Sequence, residues 1–249
     1  MLLRRITKHV TEQNWFAVLI DFLIVVVGVF IGIQIGNWND SRLDYQSYIQ
    51  AHDRMIQEAN DNIKITEHTL DKILPYINTF KKAIDDIRSC RDDEASVKRI
   101  NDAMNMLTLT IENEIQNNAI NQMTTSESLL EQQNQKHRLQ YLEYATYLQS
   151  RIEWSVSVSN KMEARSDELH PYLDYGSKLQ KDGEFWESKR NIILSVEPKV
   201  ACQDDSFRKL LYRWESGHDY QIGLMKDVIT KTEEFLIHHT NTFKMENRP

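Results

Sequence analysis

The sequence predicts an all-α protein in which one N-terminal transmembrane helix continues into an exterior antiparallel bundle of long helices. Three observations predict it. Residues 16–35 read FAVLIDFLIVVVGVFIGIQI, an apolar run with a single ionisable side chain, Asp21. Residues 37–170 contain no glycine and only one proline, Pro75, which leaves helix as the natural state of that stretch. Apolar side chains then recur there every three and four residues, the repeat of a helix face. With 7 glycines and 4 prolines in 249 residues, the chain lacks the turn formers an all-β fold needs. At 41% hydrophobic residues it can bury a core, which excludes disorder throughout.

The first element is the membrane segment. Its twenty residues match a hydrocarbon layer about 30 Å thick. Trp15 and Trp38 flank it and suit the two interfaces, where indole rings anchor a span. Arg4, Arg5 and Lys8 outweigh Glu12 on the N-terminal side, whereas Asp40 and Asp44 outweigh Arg42 just beyond the segment. The positive-inside rule then places residues 1–14 in the cytoplasm as a tail. Residues 15–38 read as an uncleaved transmembrane signal anchor, since no A-x-A-like site ends the run. Residues 39–249 read as a periplasmic helical-bundle domain of a single-pass protein. Within the span, Gly28, Gly32 and Gly36 recur every fourth residue and form a stripe on which a second helix can approach closely. Asp21 projects from the same stripe. It either reaches the cytoplasmic interface or forms a helix-contact or proton-handling site, because an acid at that depth needs protein, water or a proton.

The exterior helices follow in order. Ile49, Ile56, Ile63, Leu70, Ile77 and Ile84 alternate with Tyr45, His52, Ala59, Thr66, Ile73, Phe80 and Ile87, a coiled-coil-like seam over six heptads. A helix from Leu43 to Arg88 would be roughly 69 Å long and is free to continue from the membrane helix. Pro75 lies off the seam and is expected to kink the helix without ending it. SCRDDE at residues 89–94 is a turn in which Asp92 or Asp93 caps a second helix with seam Val97, Ile100, Met104, Leu107 and Ile111. The polar stretch Asn113 to Ser128 predicts a weak or broken helix. A third helix runs from Asn134 to Leu169 with Leu142, Ala145, Leu148, Ile152 and Val156 inward. Pro171, Gly176, Gly183 and Pro198 mark an irregular connection whose apolar patch, Phe185, Trp186 and Ile192 to Leu194, packs on the bundle. A fourth helix starts at Asp205 or Ser206 and turns Phe207, Leu211, Trp214, Gln221, Met225, Val228 and Phe235 inward. Short turns between long helices predict an up-down-up-down bundle.

Catalytic motifs are missing: the chain has no H-E-x-x-H, G-x-S-x-G or P-loop pattern. Eight histidines are scattered, and His68 with Asp71 is only an ordinary helical pair, so neither a metal nor a cofactor is expected. His52 falls on the seam, as an interface histidine or a pH-responsive one. Cys90 and Cys202 fall after the first helix and before the fourth, at the same end of such a bundle. A bridge between them is geometrically sensible, and two free or intermolecular thiols are the alternative. The formal net charge of −7 disfavours nucleic acid as a partner.

Met1-Leu-Leu-Arg-Arg, His9-Val10, Gln13 to Val18, Asp21-Phe22, Ile24 to Val26, Gly28 to Gly32 and Asn37-Trp38-Asn39 together resemble the N-terminal block of a family of uncharacterised bacterial single-pass inner-membrane proteins. The resemblance is loose through about residue 150. There Asn118 to Leu148 is similar to the family's second helical block, with Ser126-Glu127-Ser128 where the family has a glycine. It implies a bacterial inner-membrane location and no particular activity. Ile20 to Val25 also resembles the span of the small subunits of proton-driven stators of the flagellar, Tol and Ton systems. The expectation is a non-enzymatic scaffold. It would associate through its span, in the lipid bilayer, with further copies of itself or with a partner membrane protein, and present its bundle to a partner. The alternatives are a proton-coupled, stator-like subunit using Asp21 and a ligand sensor with a four-helix exterior domain.

Overall fold

The structure, a computed structural model, describes residues 15–111, 113–164, 170–178 and 190–246. The tail 1–14, the end of the third helix at Leu169, and Phe185 and Trp186 of the apolar patch lie outside the described residues. So does the side chain of Trp15. The described residues are 82% helical, with one short two-stranded antiparallel sheet.

Helix α1 runs unbroken from Trp15 to Arg88, 74 residues and about 110 Å. Its first third is apolar on every side, and from Tyr48 onward it is amphipathic. Pro75 is accommodated inside α1 on the exposed side, so the carbonyl it leaves without a donor faces water. The helix ends in a Schellman turn: the Arg91 N–H donates to the Asp86 carbonyl (3.0 Å) and the Cys90 N–H to that of Ile87 (2.9 Å). Cys90 occupies the left-handed position of that turn, at φ 51°, where glycine is usual. Cys90 is bridged to Cys202, with Cα atoms 5.3 Å apart. Closing a loop across 112 residues is worth about 4–5 kcal/mol on the chain-entropy view.

The descending limb is short helices and extended chain. Asp93 caps α2 (Glu94–Ala103), its carboxylate accepting from the N–H and hydroxyl of Ser96. A 3-10 turn, Met104–Thr108, follows. The chain is then extended before α3 (Asn118–Thr125) and α4 (Glu127–Glu131). Side chains of α1 satisfy the backbone where helix gives out. The Asn62 amide, 1% exposed, donates to the Gln116 carbonyl (2.7 Å) and accepts the Gln116 N–H (2.8 Å). The Thr66 hydroxyl donates to Asn113 Oδ1. Glu58 accepts the Ala119 N–H at the N-terminus of α3, where a carboxylate meets the helix dipole. The expected break between residues 113 and 128 is therefore built on α1.

Asn134 caps α5 (Gln135–Glu163), accepting the His137 N–H at 2.8 Å. The connection read as irregular contains a hairpin. β1 (Leu173–Lys178) pairs antiparallel with β2 (Arg190–Leu194), Leu173 opposite Leu194 and Tyr175 opposite Ile192. The outer edge of β2 is blunted: its Ile192 and Leu194 N–H groups donate to Asn105 and Asn101. No alternation in the sequence announced this, because the edge is paired by side chains from the descending limb. A short α6 (Pro198–Ala201) carries the chain to α7 (Asp205–Glu246). Asp204, held down at about 2 by bonds from Ser206 and the Phe207 N–H, caps α7.

Helix α7 returns antiparallel to both α1 and α5. Ring contacts Phe80–His218 and His52–His239 mark it against α1, and Tyr144–Thr232 and Ser159–Gln221 bonds mark it against α5. Two apolar cores result. The apical one holds Phe80, Ile87, Ile100, Phe207 and Trp214; the one at the foot holds Met55, Ala59, Ile120, Met123, Tyr141 and Leu148. Buried Asn62, Thr66, Ser155 and Ser159 lie between them in sequence order along α1 and α5.

Two expected faces shift. In the lower part of α1 the buried centre is Tyr48, Ala51, His52, Met55 and Ala59, while Ile49, Ile56 and Ile63 sit half-buried beside it and Tyr45 is exposed. On α5, Leu142 and Val156 are each 53% exposed and Ile152 is half-buried. The inward face there is His137, Tyr141, Tyr144, Ala145, Leu148, Ser155, Ser159 and Met162. Ala145 and Leu148 are inward as expected, whereas Leu142, Ile152 and Val156 are displaced from the centre because tyrosine, serine and histidine complete the inward face.

Asn62→Ala removes both bonds to Gln116 and strands two backbone groups, so unfolding in denaturant is expected to cost about 2–3 kcal/mol less than in the wild type. A loss below about 0.5 kcal/mol would mean that the connector is held by something else.

Candidate functional site

The first surface with chemical consequence is the bare part of α1. Among the described residues it is the one helix long and apolar enough to cross a membrane, and none of them buries its apolar stretch. Gly28, Gly32 and Gly36 lie along it in open space: a Cβ added at any of them meets no atom within 4 Å. Asp21 is exposed on the same helix, and Trp38 is 69% exposed at its far end. From Trp38 to Tyr48, the first buried residue of the bundle, is about 15 Å of helix carrying polar side chains.

The second is a knot of rings at the foot of the bundle, contributed by three helices. His52 and Tyr48 come from α1, His137 and Tyr141 from α5, and His239 and Phe235 from α7. His52 Nδ1 lies 3.4 Å from the Asp53 carboxylate. His52 Nε2 and His239 Nε2 are 2.8 Å apart, a contact in which one neutral ring donates and the other accepts. Tyr141 Oη is 3.1 Å from the same His239 nitrogen and 3.4 Å from Tyr48 Oη. The His137 ring is edge-on to His239 at 5.2 Å, and Asn134 Nδ2 donates to its Nδ1. Phe235 stacks on both His239 and Tyr144, at 5.6 and 4.0 Å. His52, His137 and His239 are all buried, His239 completely.

Burial fixes the electrostatics. Desolvation, reinforced by His52 and His137 nearby, pushes His239 down to about 3. Desolvation lowers His52 as well, against the pull of Asp53. Tyr144, buried on the same side, is pushed up to about 12. The knot is a hydrogen-bonded arrangement and not a cation cage. Two nitrogens on one zinc at 2.0–2.1 Å would stand about 3.3 Å apart, farther than the 2.8 Å seen here. Among the described residues no group of three or more His, Cys, Asp or Glu is set to hold a metal. His68 and Asp71 are both exposed.

At the apex, buried Asp86 takes the Arg99 guanidinium at 2.5–2.6 Å and Arg91 at 3.4 Å, beside Lys82 and Asp85. Lys199 of α6 pairs with Asp92 across the disulfide end.

The sequence brings the two cysteines to one place and leaves the histidines apart. Its signal for the knot was present: His239 follows Phe235 by one helical turn on an inward face, and His137 stands third after a capping asparagine. Nothing in the spacing told that these turns face His52. No family model matches the chain, and neither a curated protein nor a solved structure matches it.

Phe235→Ala removes one ring from a three-ring stack and is expected to destabilise the protein by about 2–3 kcal/mol in denaturant unfolding, with the Cys90–Cys202 bridge retained. Wild-type stability in this variant would show that the stack contributes no packing energy.

Proposed function

We propose that the protein is a non-enzymatic, membrane-anchored scaffold of the bacterial inner membrane. It associates through its span with other copies or with a partner membrane protein, and presents its bundle to a partner in the periplasm. The observation that carries this reading is the bare apolar third of α1. A helix segment this apolar, covered by none of the described residues, is stabilised by lipid or by other spans. In lipid, helix contacts are driven by close backbone approach, and the glycines provide it along one stripe. Asp21, seven residues before Gly28, lies on that stripe, so a second span packed there also shields the carboxyl from the acyl chains. The polar stretch after Trp38 holds an acidic domain clear of anionic headgroups.

Crosslinking in native membranes is expected to give a ladder of species that Gly32→Leu weakens. Because a Cβ at Gly32 touches nothing in its own chain, the substitution leaves the bundle folded, and a lost rung reports the contact between spans. A ladder unchanged by Gly32→Leu, or a monomer in both proteins, sinks the association. Orientation has its own measurement: a reporter fused after Pro249 should be active outside the cytoplasm, and activity only inside would reverse the topology.

A further inference from the structure

The apex and the foot of the bundle are closed by different chemistry. A covalent bridge joins α1 to the start of α7 at the apex. At the foot, α7 is held to α1 and α5 by a short contact between the buried imidazoles of His52 and His239, by the buried Tyr141, and by the half-buried Phe235 ring stacked on His239. The imidazole bond exists only while at least one ring is neutral, since two imidazolium groups have no acceptor between them.

We propose that the foot is an acid-sensitive latch: protonation of His52 and His239 frees α7 from α1 and α5 at that end while the bridged apex stays closed. The inference concerns the bundle alone and stands whether or not the spans associate.

Among the described residues, the groups facing the latch set its sign. From α1, Asp53 pairs with His52, but its side chain is 76% exposed and screened by water. From α5 come the rings of His137 and Tyr141, the former in the first turn, where the helix dipole opposes added positive charge. From α7, the neighbouring His238 is exposed, and Phe235 offers only a ring face. Glu127 and Glu131 of α4, packed on α1, point to solvent. A proton on His239 therefore lands beside two other imidazoles in a dry site.

The closed form holds His239 at about 3, whereas an opened foot returns it to the ordinary value near 6.5. The open form thus binds more protons, and closure weakens as pH falls below 6.5. For one such histidine the open-to-closed ratio rises about tenfold between pH 7.5 and 5.5. His52, lowered in the same direction, adds to that factor. Opening uncovers Met55, Tyr141 and Phe235, an apolar and aromatic surface adjoining the polar stretch of α1.

The test is hydrogen exchange on the full-length, disulfide-bonded protein in detergent micelles from pH 7.5 to 5.5, corrected for the intrinsic pH dependence of exchange. Protection in residues 48–59, 137–148 and 228–239 is expected to fall tenfold or more, with residues 80–88 and 205–218 unchanged. His52→Gln with His239→Gln should flatten this profile. Equal loss at apex and foot, constant protection at the foot, or a double variant with the wild-type profile overturns the latch. Ring-proton NMR of the wild type decides independently of any variant's folding: His52 and His239 signals titrating near 6.5 in the protected state would also overturn it.

Discussion

Everything else in the molecule is arranged around one uninterrupted helix whose surface changes along its length. In its first third α1 offers mostly apolar surface, long and apolar enough to cross a membrane, and in the remainder it is the strut on which the described domain is laid. A helix closes its own backbone hydrogen bonds, so it can change surroundings without exposing unpaired polar groups. What changes along it is only which side chains are offered. That is why the transition at residues 38–47 needs no turn and no cap, and why the bundle begins where inward-facing Tyr48 first finds partners on other helices.

The same strut explains how a broken limb survives inside a bundle. Extended chain between helices carries N–H and C=O groups that cost free energy when buried unpaired. Asn62, Thr66 and Glu58 stand one helical turn apart along the buried side of α1 and supply the missing partners. Asn62 and Thr66 are themselves buried and Glu58 half-buried, so exchange of any of them for a hydrophobe would strand the connector. The polar band between the two cores is thus the attachment line of the descending limb.

The architecture was legible where chemistry is one-dimensional. An apolar run, the scarcity of glycine and the capping position of Asp93 act on their own segments, and the long first helix and the start of the second stand where those signals put them, although the second ends at Ala103 and not at Ile111. The two cysteines were placed together because topology alone put both at one end. Legibility failed where a residue's role depends on a neighbour far along the chain. Leu142 and Val156 have the composition of core residues but lie on the outer side of α5, because the aromatic and hydroxyl side chains opposite them are complemented by Thr232, His239 and Gln221 of α7. The β2 edge was invisible for the same reason: its partners, Asn101 and Asn105, precede it by almost ninety residues. The histidine knot is the extreme case, since its three rings are separated by 85 and 102 positions.

Two ends closed by unlike bonds make the bundle mechanically asymmetric. Were both held by apolar packing, a change in conditions would act on the domain as a whole. A disulfide is indifferent to protons in the range where imidazole titrates, so acid loads only the foot. Opening there stays local, because α7 remains tethered at its start and frees only its distal turns. Between foot and apex, the hydrogen bonds of Asn62, Thr66, Ser159 and Gln221 join uncharged amides, hydroxyls and backbone and do not respond to a proton. The foot is also the end next to the polar stretch that leads to the apolar third of α1, so a local event there occurs on the side of that apolar stretch and not at the remote apex.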